Sequence, residues 1–204
     1  MNIYITRHGE TEWNKRKLVQ GWKDSPLTEA GLLGAKQLRE RMKEVKLDCV
    51  VSSPLFRAYE TATIIVGDRA VPIVQNETLK EINCGDFEGY SFIEIWQKYP
   101  EMKKAHELDP LNFKYPNGES LVEFNHRVVE GFKKLIEKHH GQDILIVAHG
   151  GTIKGLTSYM IEKADPYDWF KEVVDNCSLT TIQFKKSQFS LVEYNDTSHL
   201  KIDD

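Results

Sequence analysis

The segment 144–148 (ILIVA) is apolar at every position and is ended at once by His149-Gly150-Gly151. Five residues are too few for a buried helix and far too few to cross a bilayer. A run without alternation has two faces to hide, so it demands a sheet covered by other elements on both sides. The chain must therefore supply further strands to flank this one and amphipathic helices to cover it.

It does so in alternation. Residues 2–6 (NIYIT) and 48–51 (DCVV) read as strands, and 72–74 as a third, short one. Behind Thr28, an expected N-cap, Leu32, Ala35, Leu38, Met42 and Val45 recur at helical spacing. Pro54 fits the first turn of a helix running through Arg57 to about Val66. Residues 79–89 read as a loop broken by Gly85 and Gly89, 91–99 as a helix, and 100–118 as a polar, proline-containing connection. Ser120 and Glu123 form an S-x-x-E capping box. The box opens a helix to about His139 whose stripe is Leu121, Phe124, Val128, Phe132 and Leu135 or Ile136. Another helix runs from the glycine pair to about Ile161, and strands at 179–184 and 189–194 join through a polar turn. This order predicts a three-layer α/β/α sandwich around a mostly parallel sheet. With no repeat or linker to divide it, residues 1–204 are expected to form one domain.

Charge limits the partners. Twenty-seven Lys and Arg against 31 Asp and Glu leave a net charge of −4, which gives no global attraction to nucleic acid or anionic membranes. Neither is an expected partner, and a small anion would need a local cationic cluster. Cys49, Cys84 and Cys177 are odd in number and contain no CxxC pair, which argues against a disulfide framework or a cysteine zinc site. The chain opens directly on a strand pattern without a basic-then-apolar leader, so the cytoplasm is the expected location. Monomer and dimer both remain open.

Ligands of open α/β sheets bind beyond the carboxyl ends of the strands. Here one strand ends at Arg7-His8-Gly9 and another at His149-Gly150. A third ends at Ser52-Ser53-Pro54, with Arg57 one turn into the next helix. Taken singly, each residue has a structural explanation: a hydrogen-bonded histidine at a strand end, a solvated arginine at a helix start. Together they gather two histidines and two arginines at one sheet edge, which suits a phosphate. No HExxH or HxH spacing favours a metal, and His139-His140 fit a solvated helix end. His106 and His126 receive no role.

The segment ITRHGETEWN, residues 5–14, resembles the signature of the histidine phosphatase superfamily, which includes the cofactor-dependent phosphoglycerate mutases. QGWKDSPLTEAG (20–31), SSPLFRAYETA (52–62), LKEINCGDFEG (79–89), PNGES (116–120) and VAHGG (147–151) resemble the later family blocks, in family order over nearly the whole chain. NDTSHL (195–200) is similar to the tail of the broad-specificity phosphatases of that family.

The resemblance implies His8 as nucleophile, with Arg7, Arg57 and His149 holding phosphate. It implies Asn14 and Gly150 in the same pocket, Gln20 and Gly21 at its mouth, and Glu81 as general acid. Glu88 is then structural. The chemistry suits these residue types: guanidinium forks and an imidazolium can hold the charge of a phosphoryl group in flight. No metal or other cofactor is implied.

Phosphatase and mutase share the phosphohistidine and differ in its acceptor. The expected insertion, residues 82–118, contains no arginine to clamp a second anionic group. It does carry Phe87, Tyr90, Phe92, Trp96, Phe113 and Tyr115, some of which suit a less polar leaving group. The expected activity is hydrolysis of small phosphorylated metabolites. A phosphoglycerate mutase is the alternative. An inactive ligand-binding relative is disfavoured because the nucleophile, both arginines, the acid and the second histidine are all present.

Overall fold

A computed structural model of the chain describes residues 1–161 and 174–200. Six strands form one sheet: β1 (Asn2–Arg7), β2 (Cys49–Ser52), β3 (Ile73–Gln75), β4 (Ile144–Ala148), β5 (Leu179–Lys185) and β6 (Gln188–Asp196). Their order is β3-β2-β4-β1-β5-β6. The first four strands are mutually parallel where they pair, while β5 and β6 are antiparallel to their neighbours. The helices are α1 (Glu12–Lys15), α2 (Glu29–Arg41), α3 (Phe56–Val66), α4 (Phe92–Lys98), α5 (Pro100–Leu108), α6 (Leu121–Lys138) and α7 (Gly150–Met160).

The apolar run of β4 is central and wholly buried. Its side chains divide by parity, as the period of two requires. Ile144, Ile146 and Ala148 join Ile3, Ile5 and Val51 against Phe124, Val128 and Phe132 of α6 and Ile153, Leu156 and Met160 of α7. Leu145 and Val147 point the other way, with Val50, onto Leu38 of α2 and Ala58, Ala62 and Ile65 of α3. These are the two helical layers the sequence predicts. Phe124 and Phe132 are fully buried, so truncating either to Ala should cost about 3–5 kcal/mol.

Capping sets the helix starts where expected. Thr28 accepts from the Gly31 N–H at 3.0 Å, and Ser120 accepts from the Glu123 N–H at 3.2 Å. Glu123 returns the bond by accepting from the Ser120 N–H at 2.9 Å. Three local expectations are corrected. Pro54 precedes α3, whose N-cap is Leu55, because the chain is still extended there. Helix α2 stops at Arg41, leaving Met42 as its C-cap and Val45 beyond it. The stretch 100–118 is not all connection: Pro100 occupies the first turn of α5, which carries no buried residue and hence no apolar stripe to reveal it.

The insertion builds a small core of its own. Val19, Cys84, Phe87 and Ile95 are buried together, and Phe87 meets the rings of Trp96, Tyr99, Phe113 and Tyr115 at centroid distances of 5.6–6.4 Å. Most of the aromatics of 82–118 therefore hold the insertion together. Among the described residues, no helix is long and apolar enough to cross a membrane.

Candidate active site

Strands β2, β4 and β1 are adjacent and parallel, in registers pairing Arg7 with Ala148 and Ser52 with Val147. Their carboxyl ends therefore lie side by side. The ladder runs one step further on each side: the His8 N–H donates to Ala148 O at 3.0 Å and the Ser53 N–H to Val147 O at 2.9 Å. His8, His149 and Ser53 thus emerge together, with the two imidazole centroids 5.2 Å apart.

His8 is 3 % exposed. Its Nδ1 lies 2.8 Å from Gly9 O, a carbonyl that can only accept, so Nδ1 carries the proton and Nε2 keeps its lone pair. The Arg57 Nε–H donates to that Nε2 at 3.3 Å. Burial first, then the Arg57 and Arg7 guanidiniums, pushes His8 well below the ordinary histidine range. Nε2 is the unprotonated nitrogen of a neutral, buried imidazole.

Arg57, 1 % exposed, is held from three sides. Nη1 donates to Asp24 Oδ1 at 2.7 Å and to Lys23 O at 2.9 Å, and Nη2 donates to Gly21 O at 2.8 Å. Of its five donors, Nε–H is engaged with His8 Nε2 and one Nη2–H has no protein partner. Gly21 is required for this hold. Its φ is +54°, and a Cβ there would approach Cys84 N to 2.9 Å and overlap the Glu88 carboxylate. Glu88 is the structural residue expected, accepting from the N–H groups of Trp22 (2.8 Å), Lys23 (2.9 Å) and Cys84 (3.1 Å). Arg7 spends Nη1 on Val174 O at 2.7 Å and leaves a buried Nε without a protein partner.

His149 is fully buried, and its Nε2 lies 2.8 Å from Ser53 Oγ. That hydroxyl also accepts the Leu55 N–H at 3.3 Å. The other ring nitrogen, Nδ1, has no protein partner. Burial, followed by Arg57, His8 and Arg7, holds His149 well below its ordinary range. These causes disfavour the expected imidazolium while no anion is bound. In the unliganded site the positive charge comes from Arg7 and Arg57.

A cavity of about 390 Å³ opens over His8. Arg7, Asn14, Gln20, Gly21, Arg57 and Glu81 line it, with Gly151 at the start of α7. His149 and Gly150 sit behind this wall: the His149 ring lies beside His8, tilted at 58° to it, and Gly150 lies against the Arg7 side chain. Asn14 closes the α1 capping box through Oδ1, which accepts the Thr11 N–H at 3.2 Å. Gln20 Oε1 is a third buried polar atom without a protein partner. The Glu81 carboxylate accepts the Ile82 N–H (3.0 Å) through Oε1 and the Gly151 N–H (2.9 Å) through Oε2. Each oxygen keeps a lone pair for the cavity.

The outer wall is apolar, with Leu18, Val19, Ile82, Cys84, Phe92 and Tyr115 beside His106. A second cavity of about 430 Å³, bounded by Tyr159–Ile161 and Ser187–Phe189, holds none of this chemistry. Among the described residues, no three His, Cys, Asp or Glu side chains are grouped to hold a metal.

Several pairings around the site were not legible beforehand. Asp24, Ser53 and Trp22 act on partners 33, 96 and 59 residues away. His106, without an assigned role in the sequence, reaches the cavity wall from α5, packed between Trp96 and Phe113. His139 is not solvated: it is 8 % exposed, with Nδ1 2.7 Å from Gln142 Oε1.

The sequence profile described as histidine phosphatase superfamily (branch 1) matches residues 3–197. The chain is 35 % identical over 198 residues to an uncharacterized phosphatase, PhoE, of Bacillus subtilis, covering 97 % of this chain and 96 % of that one. It is 32 % identical to a 2,3-bisphosphoglycerate-dependent phosphoglycerate mutase of Cytophaga hutchinsonii, covering 98 % and 93 %. The solved structure of Bacillus stearothermophilus YhfR superposes with a TM-score of 0.90 at 35 % identity, covering 98 % of this chain and 99 % of that one.

Proposed function

The chain belongs to the histidine phosphatase superfamily (branch 1), and from that premise we propose that it hydrolyses small phosphomonoesters through a phosphohistidine on His8. The observation that carries this reading is His8 Nε2, unprotonated in a buried site between two guanidiniums at the floor of a cavity.

Arg7 Nε, the free Nη2–H of Arg57 and His149 Nδ1 are the donors that would meet the three non-bridging phosphate oxygens, joined by the Arg57 Nε–H once His8 Nε2 bonds to phosphorus. Asn14, Gln20 and Gly21 shape the rim, and Gly150 lies beside Arg7 at the start of α7. In the first step His8 Nε2 forms a bond to phosphorus as the bond from phosphorus to the ester oxygen breaks. A proton from Glu81 goes to the departing alkoxide. In the second step ionised Glu81 takes a proton from water, the water oxygen bonds to phosphorus, and the phosphorus–Nε2 bond breaks. Inorganic phosphate leaves, and His8 and Glu81 return to their starting forms. The transferring charge is met by fixed donors in a site shielded from solvent, where they act strongly.

Water rather than a second substrate is the expected acceptor. Arg7 and Arg57 are the cations among the residues lining the cavity. None of the insertion's lysines lines the cavity: Lys98 lies over the Tyr99 ring, Lys103 pairs with Glu107, Lys114 pairs with Glu123, and Lys104 is exposed on α5. Among the described residues of the cavity wall, no further cation is placed to clamp the second anionic group that a mutase must retain. Rapid quench with labelled p-nitrophenyl phosphate should trap acid-labile, base-stable phosphate on the wild type and none on His8→Ala. Acid-stable label, or label retained in the variant, would refute the reading.

A further inference from the structure

The Glu81 carboxyl reaches the cavity from an irregular loop. Most of the side-chain bonds to that loop's backbone come from behind, from one side chain of α6. Arg127 donates through Nη1 to Thr78 O (3.1 Å) and Lys80 O (3.2 Å), and through Nη2 to Glu81 O (3.1 Å). Its Nε and its other Nη2–H form a fork onto Glu119, at 2.7 and 2.8 Å. All five guanidinium donors are thereby used. Glu119 in turn accepts the Asn83 N–H at 2.9 Å, and the Glu119 N–H donates to Asn83 O at 2.9 Å. Trp22, from the loop beside Gly21, adds an Nε1–H bond to Glu81 O at 2.8 Å. Thr152 of α7 donates to Lys80 O at 3.1 Å.

The backbone on both sides of Glu81 is therefore bonded, and its carbonyl receives two donors. Arg127, Glu119 and Trp22 do not line the cavity, and the arginine charge is matched by Glu119, so none is built to touch substrate. An ordinary loop anchor needs one or two bonds. This arrangement fixes three carbonyls that bracket one carboxyl.

We propose that Arg127, with Glu119 and Trp22, is the positioning assembly for Glu81, setting where that carboxyl delivers its proton. The proposal rests on Glu81 being the general acid, and the test separates the two claims. If Arg127 relaxes, the carboxyl drifts, and a displacement near 1 Å can cost about 10²-fold in rate. The loss should fall on leaving groups that need a proton. An alkoxide needs one. A nitrophenolate, already a good leaving group at neutral pH, needs it far less.

The experiment measures phosphorylation of His8 in single turnover with an alkyl monoester and with p-nitrophenyl phosphate. The enzymes are the wild type, Glu81→Gln, Arg127→Ala, Arg127→Lys and Trp22→Phe. Glu81→Gln should slow the alkyl ester by about 10²-fold or more and the aryl ester by less than about tenfold. Arg127→Ala should reproduce that selectivity at roughly 30-fold on the alkyl ester, within the range that misplacement of a catalytic group can produce. Arg127→Lys keeps the charge but not the fork, and should retain most of the defect. Trp22→Phe removes one donor from a half-exposed ring, folds safely, and should slow the alkyl ester selectively by roughly threefold, the effect of one modest hydrogen bond. Equal slowing of both esters in the Arg127 and Trp22 variants, or none, would overturn the proposal while Glu81→Gln stays selective. Loss of selectivity in Glu81→Gln itself would instead remove Glu81 as the acid. Should Arg127→Ala not fold, Trp22→Phe and Glu119→Gln decide by the same criterion.

Discussion

Lowering the pH from 7.5 to 5.5 should weaken the fold by an amount assignable to His8. The imidazole is buried and held neutral by burial and by the neighbouring Arg57 and Arg7 charges, with its folded pKa well below the ordinary value. In the unfolded chain it titrates near 6.5. As pH falls through that value the unfolded state binds a proton that the folded state refuses, so stability is lost on acidification. The unfolded state gains RT ln(1 + 10^(6.5−pH)), which is about 0.1 kcal/mol at pH 7.5 and about 1.4 kcal/mol at pH 5.5. One such histidine therefore costs up to about 1.3 kcal/mol across the window, the full amount where the folded site refuses the proton throughout. His149 should contribute similarly, and the half-buried His106 and His199 add in the same direction. The absolute slope is thus a sum, and a variant isolates the His8 share. Carboxyls held low by hydrogen bonds, such as Glu123 and Asp196, lose their share only below about pH 4.5, outside the window. Urea unfolding followed by tryptophan fluorescence in phosphate-free buffer, at both pH values, gives the drop for wild type and His8→Asn. The variant's drop should be smaller by up to about 1.3 kcal/mol. Equal drops would mean that folded His8 is protonated, and would remove the neutral nucleophile on which the mechanism depends.

Turnover should persist in excess chelator, since Arg7 and Arg57 supply the positive charge at the phosphate; a large loss restored by Mg²⁺ would refute that account. With 3-phosphoglycerate, coupled assays should detect release of inorganic phosphate and no faster conversion to the 2-isomer, even with added 2,3-bisphosphoglycerate. Rapid isomerisation would identify a clamp that the cavity's lining does not contain. Ser120→Ala removes the side-chain acceptor at the start of α6 and should destabilise the protein by about 1 kcal/mol in urea unfolding, with p-nitrophenyl phosphate turnover per folded molecule little changed.

Much of the fold was legible because its signals are local. The run 144–148 named the central strand to the residue, since every side chain in it had to be hidden. The Ser120–Glu123 box and the stripe from Leu121 to Ile136 marked α6 because capping and a 3.6-residue period act within a few turns of chain. Helix α5 escaped for the converse reason: with no buried residue, nothing in its periodicity distinguishes it from a polar connection. The adjacency of Arg7-His8, Ser53 and His149 followed from strand ends once the sheet was parallel, although the strand order that makes β2, β4 and β1 neighbours did not.

What the sequence by itself determined was which candidate residues stand at the strand ends and which segments must be buried. What only the tertiary structure decided was their state. Whether His149 is imidazolium or imidazole depends on burial and on four charged or titrating neighbours, two of which, Arg57 and Arg7, lie 92 and 142 positions away in the chain. How many Arg57 donors remain for a ligand depends on Asp24 and two backbone carbonyls that chain reversal brings beneath it. Where Glu81 points depends on Arg127, 46 residues further on. Hydrogen bonds and desolvation are set by distance in space, and the pairing of such distant residues leaves no local period or motif from which it could be read.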